Sequence, residues 1–239
     1  MQQPLPSSTQ ESSLENQCPG CLSMKLQGTP VQPGQIDLYL TINFNEQCEP
    51  LVGGSVRFGL TGGELKLRLE NGSIPYEFRE LSGSLKLSYR QQEQDSQDNQ
   101  AQNTVESSVI QSQDNISGKR ETELTEDKTN PPQLVAFQVT TKGSQQNPAW
   151  VFEVETGEPI LKGSINNVKL ATIKAIALPC YIEATFEVSL KDVYLTQTQG
   201  LWSPNISRNQ LAVLERGIAQ LLLKRKLKPY LSRQQIRYD

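Results

Sequence analysis

Ile36-Asp37-Leu38-Tyr39-Leu40-Thr41-Ile42-Asn43-Phe44 alternates apolar and polar side chains without a break. Period two is the geometry of a strand, because successive Cβ atoms point to opposite faces of the pleat. Ile36, Leu38, Leu40, Ile42 and Phe44 therefore belong to a core, and the residues between them face water. The stretch predicts a half-buried β-strand.

The same pattern recurs on both sides in shorter units. Val56, Phe58 and Leu60 alternate before Gly62-Gly63, Leu65, Leu67 and Leu69 before Asn71-Gly72, and Leu85, Leu87 and Tyr89 follow. Farther on come Val135, Phe137 and Val139, then Trp150, Phe152 and Val154, then a less regular apolar stretch from Ile165 to Ile176. Cys180, Ile182, Ala184, Phe186, Val188 and Leu190 alternate strictly after Pro179, which sits where its missing donor does least harm. This spacing predicts a mainly β fold: an antiparallel sandwich or barrel-like body of about eight or nine strands. Gly53-Gly54 and Gly62-Gly63 lack the spacing of a phosphate loop and read as sharp turns between strands. The phrases Leu67-Arg-Leu-Glu-Asn-Gly and Phe152-Glu-Val-Glu-Thr-Gly each lead through a loop to Gly-Ser and a strand. They are either a duplicated hairpin or ordinary turn vocabulary used twice.

Residues 91–133 change character. They hold nine Gln, nine acidic and three basic side chains, and no aromatic residue. Such a segment buries too little apolar surface to offset an ordering cost of ~1–2 kcal/mol per residue, which predicts a disordered insertion. Residues 34–205 then form a single β domain around this gap. Residues 1–33 read as a flexible tail carrying a cysteine pair.

Residues 206–239 switch period and carry eight basic side chains against two acidic ones. Ser207 and Gln210 fit a capping box, and Ile206 and Leu211 occupy the staple positions. Leu211, Leu214, Ile218, Leu221 and Leu222 fall on one face of a predicted helix that stops near Lys228, before Pro229. Val213, Leu223 and Leu227 form a second apolar stripe on the opposite side. A helix on the surface of a monomer should be polar there, so the stripe calls for a cover: another protein chain, self-association, or the terminal segment itself.

Function is bounded first by an absence. The chain has no histidine. Ser-His-Asp and Cys-His hydrolases and His-ligated metal centres are thereby excluded. No apolar run reaches the length of a membrane span. No basic-then-apolar leader opens the sequence, so the expected compartment is cytoplasmic. The Asn-X-Ser sequons at Asn71, Asn115 and Asn205 are then chance matches.

Three groups remain as candidate sites. Cys18-Pro-Gly-Cys21 offers two thiolates with the spacing of half a structural zinc site, or a redox pair, or an unpaired turn. Only Cys48 and Cys180 are left to complete a Cys₄ set, and Cys180 falls on the buried phase of its strand, as a small core residue. Glu153, Glu155, Glu183 and Glu187 are the carboxylates of a conceivable His-free enzyme site with or without a cofactor, though their strand phase is the solvated one. Lys224, Arg225, Lys226, Lys228 and Arg233 form a basic cluster able to neutralise phosphates of nucleic acid or anionic headgroups. The same cations also suit a helix C-terminus, or the acidic insertion of their own chain.

The phrases Trp150-Val-Phe-Glu-Val-Glu-Thr-Gly-Glu-Pro, Leu201-Trp-Ser-Pro-Asn-Ile-Ser-Arg-Asn and Lys228-Pro-Tyr-Leu-Ser-Arg-Gln resemble segments of an uncharacterised bacterial protein family, cyanobacterial in flavour. The resemblance spans most of the β body and the helix. It implies no activity and assigns no residue. The expectation from the residues is a non-enzymatic protein-binding or scaffold module using the C-terminal helix. The alternatives are a nucleic-acid accessory protein using the basic cluster, and an enzyme using the carboxylates or a cofactor.

Overall fold

Alternation becomes pairing in the computed structural model, which describes residues 11–89, 133–155, 159–201, 207–218 and 227–239. The predicted insertion lies outside the described residues except for Gln133, as do Leu223, Lys224, Arg225 and Lys226. In chain order the strands are β1 (Glu11–Asn16), β2 (Leu22–Gln32), β3 (Gln35–Phe44), β4 (Gln47–Leu51), β5 (Gly54–Leu60), β6 (Gly62–Glu70) and β7 (Gly72–Ser73). After them come β8 (Gly83–Tyr89), β9 (Gln133–Gly143), β10 (Pro148–Val154), β11 (Gly163–Ala175), β12 (Cys180–Glu187) and β13 (Val193–Gln199). The helix α1 (Arg208–Ile218) precedes the last strand, β14 (Ser232–Tyr238).

The strands form a seven-stranded sheet in the order β1-β14-β12-β6-β10-β9-β8, a four-stranded sheet β2-β3-β11-β7 and a three-stranded sheet β13-β5-β4. Every pairing is antiparallel. Among the described residues the large sheet ends on β1 and β8, so the body is mainly β without being a closed barrel.

The opening alternation holds at each of its apolar positions. Ile36, Leu38, Leu40, Ile42 and Phe44 are all buried. Phe44 of β3 meets Phe152 of β10 and Phe186 of β12 with ring centroids 5.8 Å apart in each case, and Phe152 lies 5.9 Å from Phe186. Tilted aromatic contacts of this kind add to the area each ring buries. The strands before and after residues 91–133 are interleaved: β6 lies between β12 and β10, and β3 pairs with β11. One apolar cluster therefore draws on both flanks of the gap.

Two expectations are corrected. Within the expected tail of residues 1–33, residues 11–33 are built into the body: β1 and β2 occupy Glu11–Asn16 and Leu22–Gln32, and Leu22, Met24 and Leu26 are core. The chain does not end on a helix. The predicted capping box is present, with Ser207 N–H donating to Gln210 Oε1 (3.2 Å) and Gln210 N–H to Ser207 Oγ (3.3 Å), and α1 follows. Beyond it the supposed basic tail becomes β14, seated between β1 and β12. These additions carry the count well past the eight or nine strands expected. The sharp turn read at Gly62-Gly63 is a change of sheet rather than a hairpin loop. With only Thr61 between them, β5 belongs to the small sheet and β6 to the large one, so the pair marks the corner at which the chain changes sheets. Gly53, by contrast, does serve a turn: at φ +90° it closes the two-residue loop between β4 and β5.

No helix among the described residues is long and apolar enough to cross a membrane.

Candidate functional site

The outer face of the seven-stranded sheet collects the polar phase of three neighbouring strands. Register sets Glu183 of β12 opposite Arg68 of β6 on one side and Gln235 of β14 on the other. One step along, Tyr181 faces Glu70 and Arg237; one step back, Thr185 faces Lys66 and Arg233. Two cavities of about 560 and 500 Å³ lie on this face and share Arg68 and Glu183, so they form one trough.

Its charges are largely matched. Lys66 Nζ lies 2.7 Å from Glu187 Oε2, Arg233 Nη2 2.6 Å from Glu183 Oε1 and Lys142 Nζ 3.0 Å from Glu64 Oε2. The hydrogen bond to Glu187 raises the Lys66 pKa above its usual value. Arg233 is likewise held charged, by Tyr230 first and Glu183 second. Two guanidiniums also cover tyrosine rings, Arg237 over Tyr181 at 5.5 Å and Arg233 over Tyr230 at 5.8 Å. Such a lattice keeps both ion signs in place at a solvated surface, where each pair contributes little stability.

Two sets of predicted residues meet here. Glu183 and Glu187, considered as an enzyme's carboxylates, and Arg233, considered as a nucleic-acid contact, form parts of one ion-pair lattice. Glu153 and Glu155 are not brought to the trough: neither lines it, and Glu155 accepts a hydrogen bond from Ser84 Oγ. Lys228 is exposed. Leu227, assigned to a partner surface, is instead buried in the core, so that part of the second apolar stripe is covered by the chain's own body. Val213 is 71% exposed.

The cysteines divide as follows. Cys18 and Cys21 are fully buried at the turn from β1 to β2, Cys180 is buried at the head of β12 as its strand phase predicts, and Cys48 is exposed. Burial pushes the Cys180 thiol up; a hydrogen bond with Cys18, reinforced by burial, pushes Cys21 far above the usual thiol range. Among the described residues no group of three or more His, Cys, Asp or Glu side chains is placed to hold a metal ion, so neither Cys48 nor Cys180 completes a Cys₄ set around the pair.

A buried polar cluster escaped the sequence reading. Asp37, placed on the wet phase of β3, accepts a hydrogen bond from Thr172 Oγ1 at 2.6 Å and an ion pair from Lys169 at 3.0 Å; Lys169 also reaches Glu80 at 2.8 Å. Alternation alone marks Asp37 as solvated, and nothing local announces the partners that β11 brings. Arg68 and Tyr181 were passed over for the same reason: each is an ordinary outward residue until register lines up three strands.

No protein-family model matches the chain, and a search of the curated proteins returns no match.

Proposed function

We propose that the protein is a non-catalytic binding module that docks on another protein chain through α1. The observation that carries this reading is the exposure of two large apolar side chains on a capped helix, Val213 at 71% and Leu214 at 42%. Among the described residues α1 packs broadly against none of the strands. An isolated helix of eleven residues is marginal in water, because nucleation is costly and packing of an amphipathic face normally supplies the stability. A capped helix that exposes two large apolar side chains is therefore suited to helix-in-groove recognition. The trough is the weaker candidate surface, since its strongest cations and carboxylates already hold each other. A reducing compartment such as the cytoplasm suits four cysteines held outside any disulfide.

The corrected fold also dictates the experiment. Deleting residues 206–239 would remove β14 from the large sheet and unfold the body, so loss of a partner would mean nothing. A photo-crosslinking residue at position 213 of the full chain tests α1 directly, with position 52, a fully exposed valine in the β4–β5 loop, as the control. Crosslinking in cells to one protein species from position 213, abolished by Leu214→Asp and absent from position 52, is the expected result. Equal crosslinking from both positions refutes the proposal.

A further inference from the structure

The geometry of the β1–β2 corner points to Cys18 and Cys21 as a dithiol modification site, which closes to an intramolecular disulfide across the turn. The backbone is already shaped for it. Cys21 N–H donates to Cys18 O at 3.0 Å, so the four residues form a hydrogen-bonded turn. The ends of such a turn lie less than ~7 Å apart between Cα atoms. A disulfide spans Cα separations of ~4.4–6.8 Å. The turn is tied down on both sides. Gln17 N–H donates to Leu231 O at 2.8 Å, Asn45 N–H to Cys21 O at 3.0 Å, Asn16 Oδ1 accepts from Cys18 N–H at 2.9 Å, and Asn16 Nδ2 donates to Leu22 O at 2.8 Å. Closing the ring therefore orders almost nothing that is not ordered already.

The side chains are equally prepared. Pro19 and Gly20 face solvent while both thiols point inward and share a hydrogen bond. Cys18 Sγ also donates to Gln47 Oε1 at 2.9 Å. A Cβ on Gly20 would lie 3.1 Å from that same oxygen, so glycine keeps the turn flush against Gln47. Two adjoining thiols that share a hydrogen bond are the pair that two-electron oxidation joins.

With hydrogen peroxide as oxidant the step balances. One thiol loses its proton and its sulfur attacks a peroxide oxygen, leaving a sulfenic acid and one water. The second sulfur displaces the sulfenic oxygen, which leaves as a second water. Two S–H bonds and one O–O bond are broken; one S–S bond and two O–H bonds are formed. The dithiol is oxidised by two electrons and the peroxide is reduced to water.

The sequence makes the test unambiguous. The first tryptic site is Lys25, so Cys18 and Cys21 share the N-terminal peptide, Cys48 lies in the peptide ending at Arg57, and Cys180 in the one ending at Lys191. The full chain, folded and carrying Cys48→Ser to remove the exposed thiol, is treated with hydrogen peroxide, unfolded, alkylated with iodoacetamide and digested. The expected N-terminal peptide carries no alkyl group and is lighter than the reduced peptide by two hydrogen atoms, reverting when dithiothreitol precedes alkylation. Urea unfolding of the oxidised chain should give a midpoint equal to or above that of the reduced chain. Two alkyl groups on the N-terminal peptide overturn the proposal. So does a disulfide that forms only with a lowered midpoint, because the native turn would then not accommodate it.

Discussion

The side-chain amide of Gln234 acts as a neighbouring strand toward the backbone of Leu26. Leu26 N–H donates to Gln234 Oε1 at 2.7 Å, and Gln234 Nε2 donates to Leu26 O at 2.9 Å, both buried. Leu26 lies on β2, an edge of the four-stranded sheet, and Gln234 on β14 of the seven-stranded sheet. A buried edge would otherwise leave its peptide groups without partners. One glutamine satisfies a donor and an acceptor together and fastens the two sheets to each other.

Replacing Gln234 with Leu should therefore cost far more than its modest change in volume suggests. Leu26 would keep a buried N–H and a buried C=O with nothing to bond, and an unsatisfied buried group costs ~1–3 kcal/mol. A loss of about 3 kcal/mol in urea unfolding is expected. Gln235→Leu, one residue along on the exposed face, should change stability by less than about 0.5 kcal/mol. Equal effects at the two positions would mean that the amide bridge contributes nothing.

Gly63 should prove as intolerant as any core residue. A Cβ there would lie 2.4 Å from Cε1 of Phe186 and 3.0 Å from Cγ1 of Val188, and the neighbouring Gly62 meets the Phe152 carbonyl at 2.7 Å in the same way. Phe186 cannot retreat, because Phe44 and Phe152 pack against it. Gly63→Ala is expected to lose about 2 kcal/mol or more, in the range of core overpacking. Thermal or urea unfolding measures it, and Gly63→Ala combined with Phe186→Leu should recover part of the loss. If the double variant is as unstable as the sum of the two single ones, the clash is not the cause.

How much of this was legible in the sequence follows from what alternation can encode. Ile36–Phe44 and Cys180–Phe186 announced their buried faces because their inward residues are apolar at every step. β14 did not, because its inward set is Ser232, Gln234, Ile236 and Tyr238, and only the last two look like core. Its outward set, Arg233, Gln235 and Arg237, made the segment read as a basic tail. β1 was hidden likewise, a polar edge strand whose only large apolar residue, Leu14, is exposed. Gln234 and Asp37 belong inside only because distant partners satisfy them, and partners brought together by sheet order leave no mark within a single strand. The trough is the extreme case, since Arg68, Glu183 and Arg233 become neighbours only through the register of β6, β12 and β14. The capping box of α1 could be read directly, since both of its members lie within four residues.

Tyr238 links the same terminal strand to alkaline stability. Its ring reaches Gly28, where a Cβ would come within 1.9 Å of the hydroxyl, so glycine opens the space the phenol occupies. Burial raises the hydroxyl pKa from its ordinary 10.0 to about 12, opposed in part by the backbone of Gly28. In the unfolded chain the phenol ionises near ~10. Between these values the unfolded state has released a proton that the folded state retains, so the folded state binds more protons and stability must fall as pH rises. The contribution is intact below about pH 10 and lost as pH climbs through 12, up to about 2.7 kcal/mol at 1.36 kcal/mol per unit. Cys21 and Cys180, whose thiols are also raised, act with the same sign from lower pH, and because the Cys180 charge acts on the phenol the comparison is made in a Cys180→Ala background. Tyr238→Phe should therefore track its parent's pH dependence up to about pH 10 and then fall less steeply, whatever constant offset the lost hydroxyl introduces. Urea midpoints measured from pH 8 to 12 decide it: curves that stay parallel to pH 12 would show that the phenol titrates alike in both states and is not buried as described.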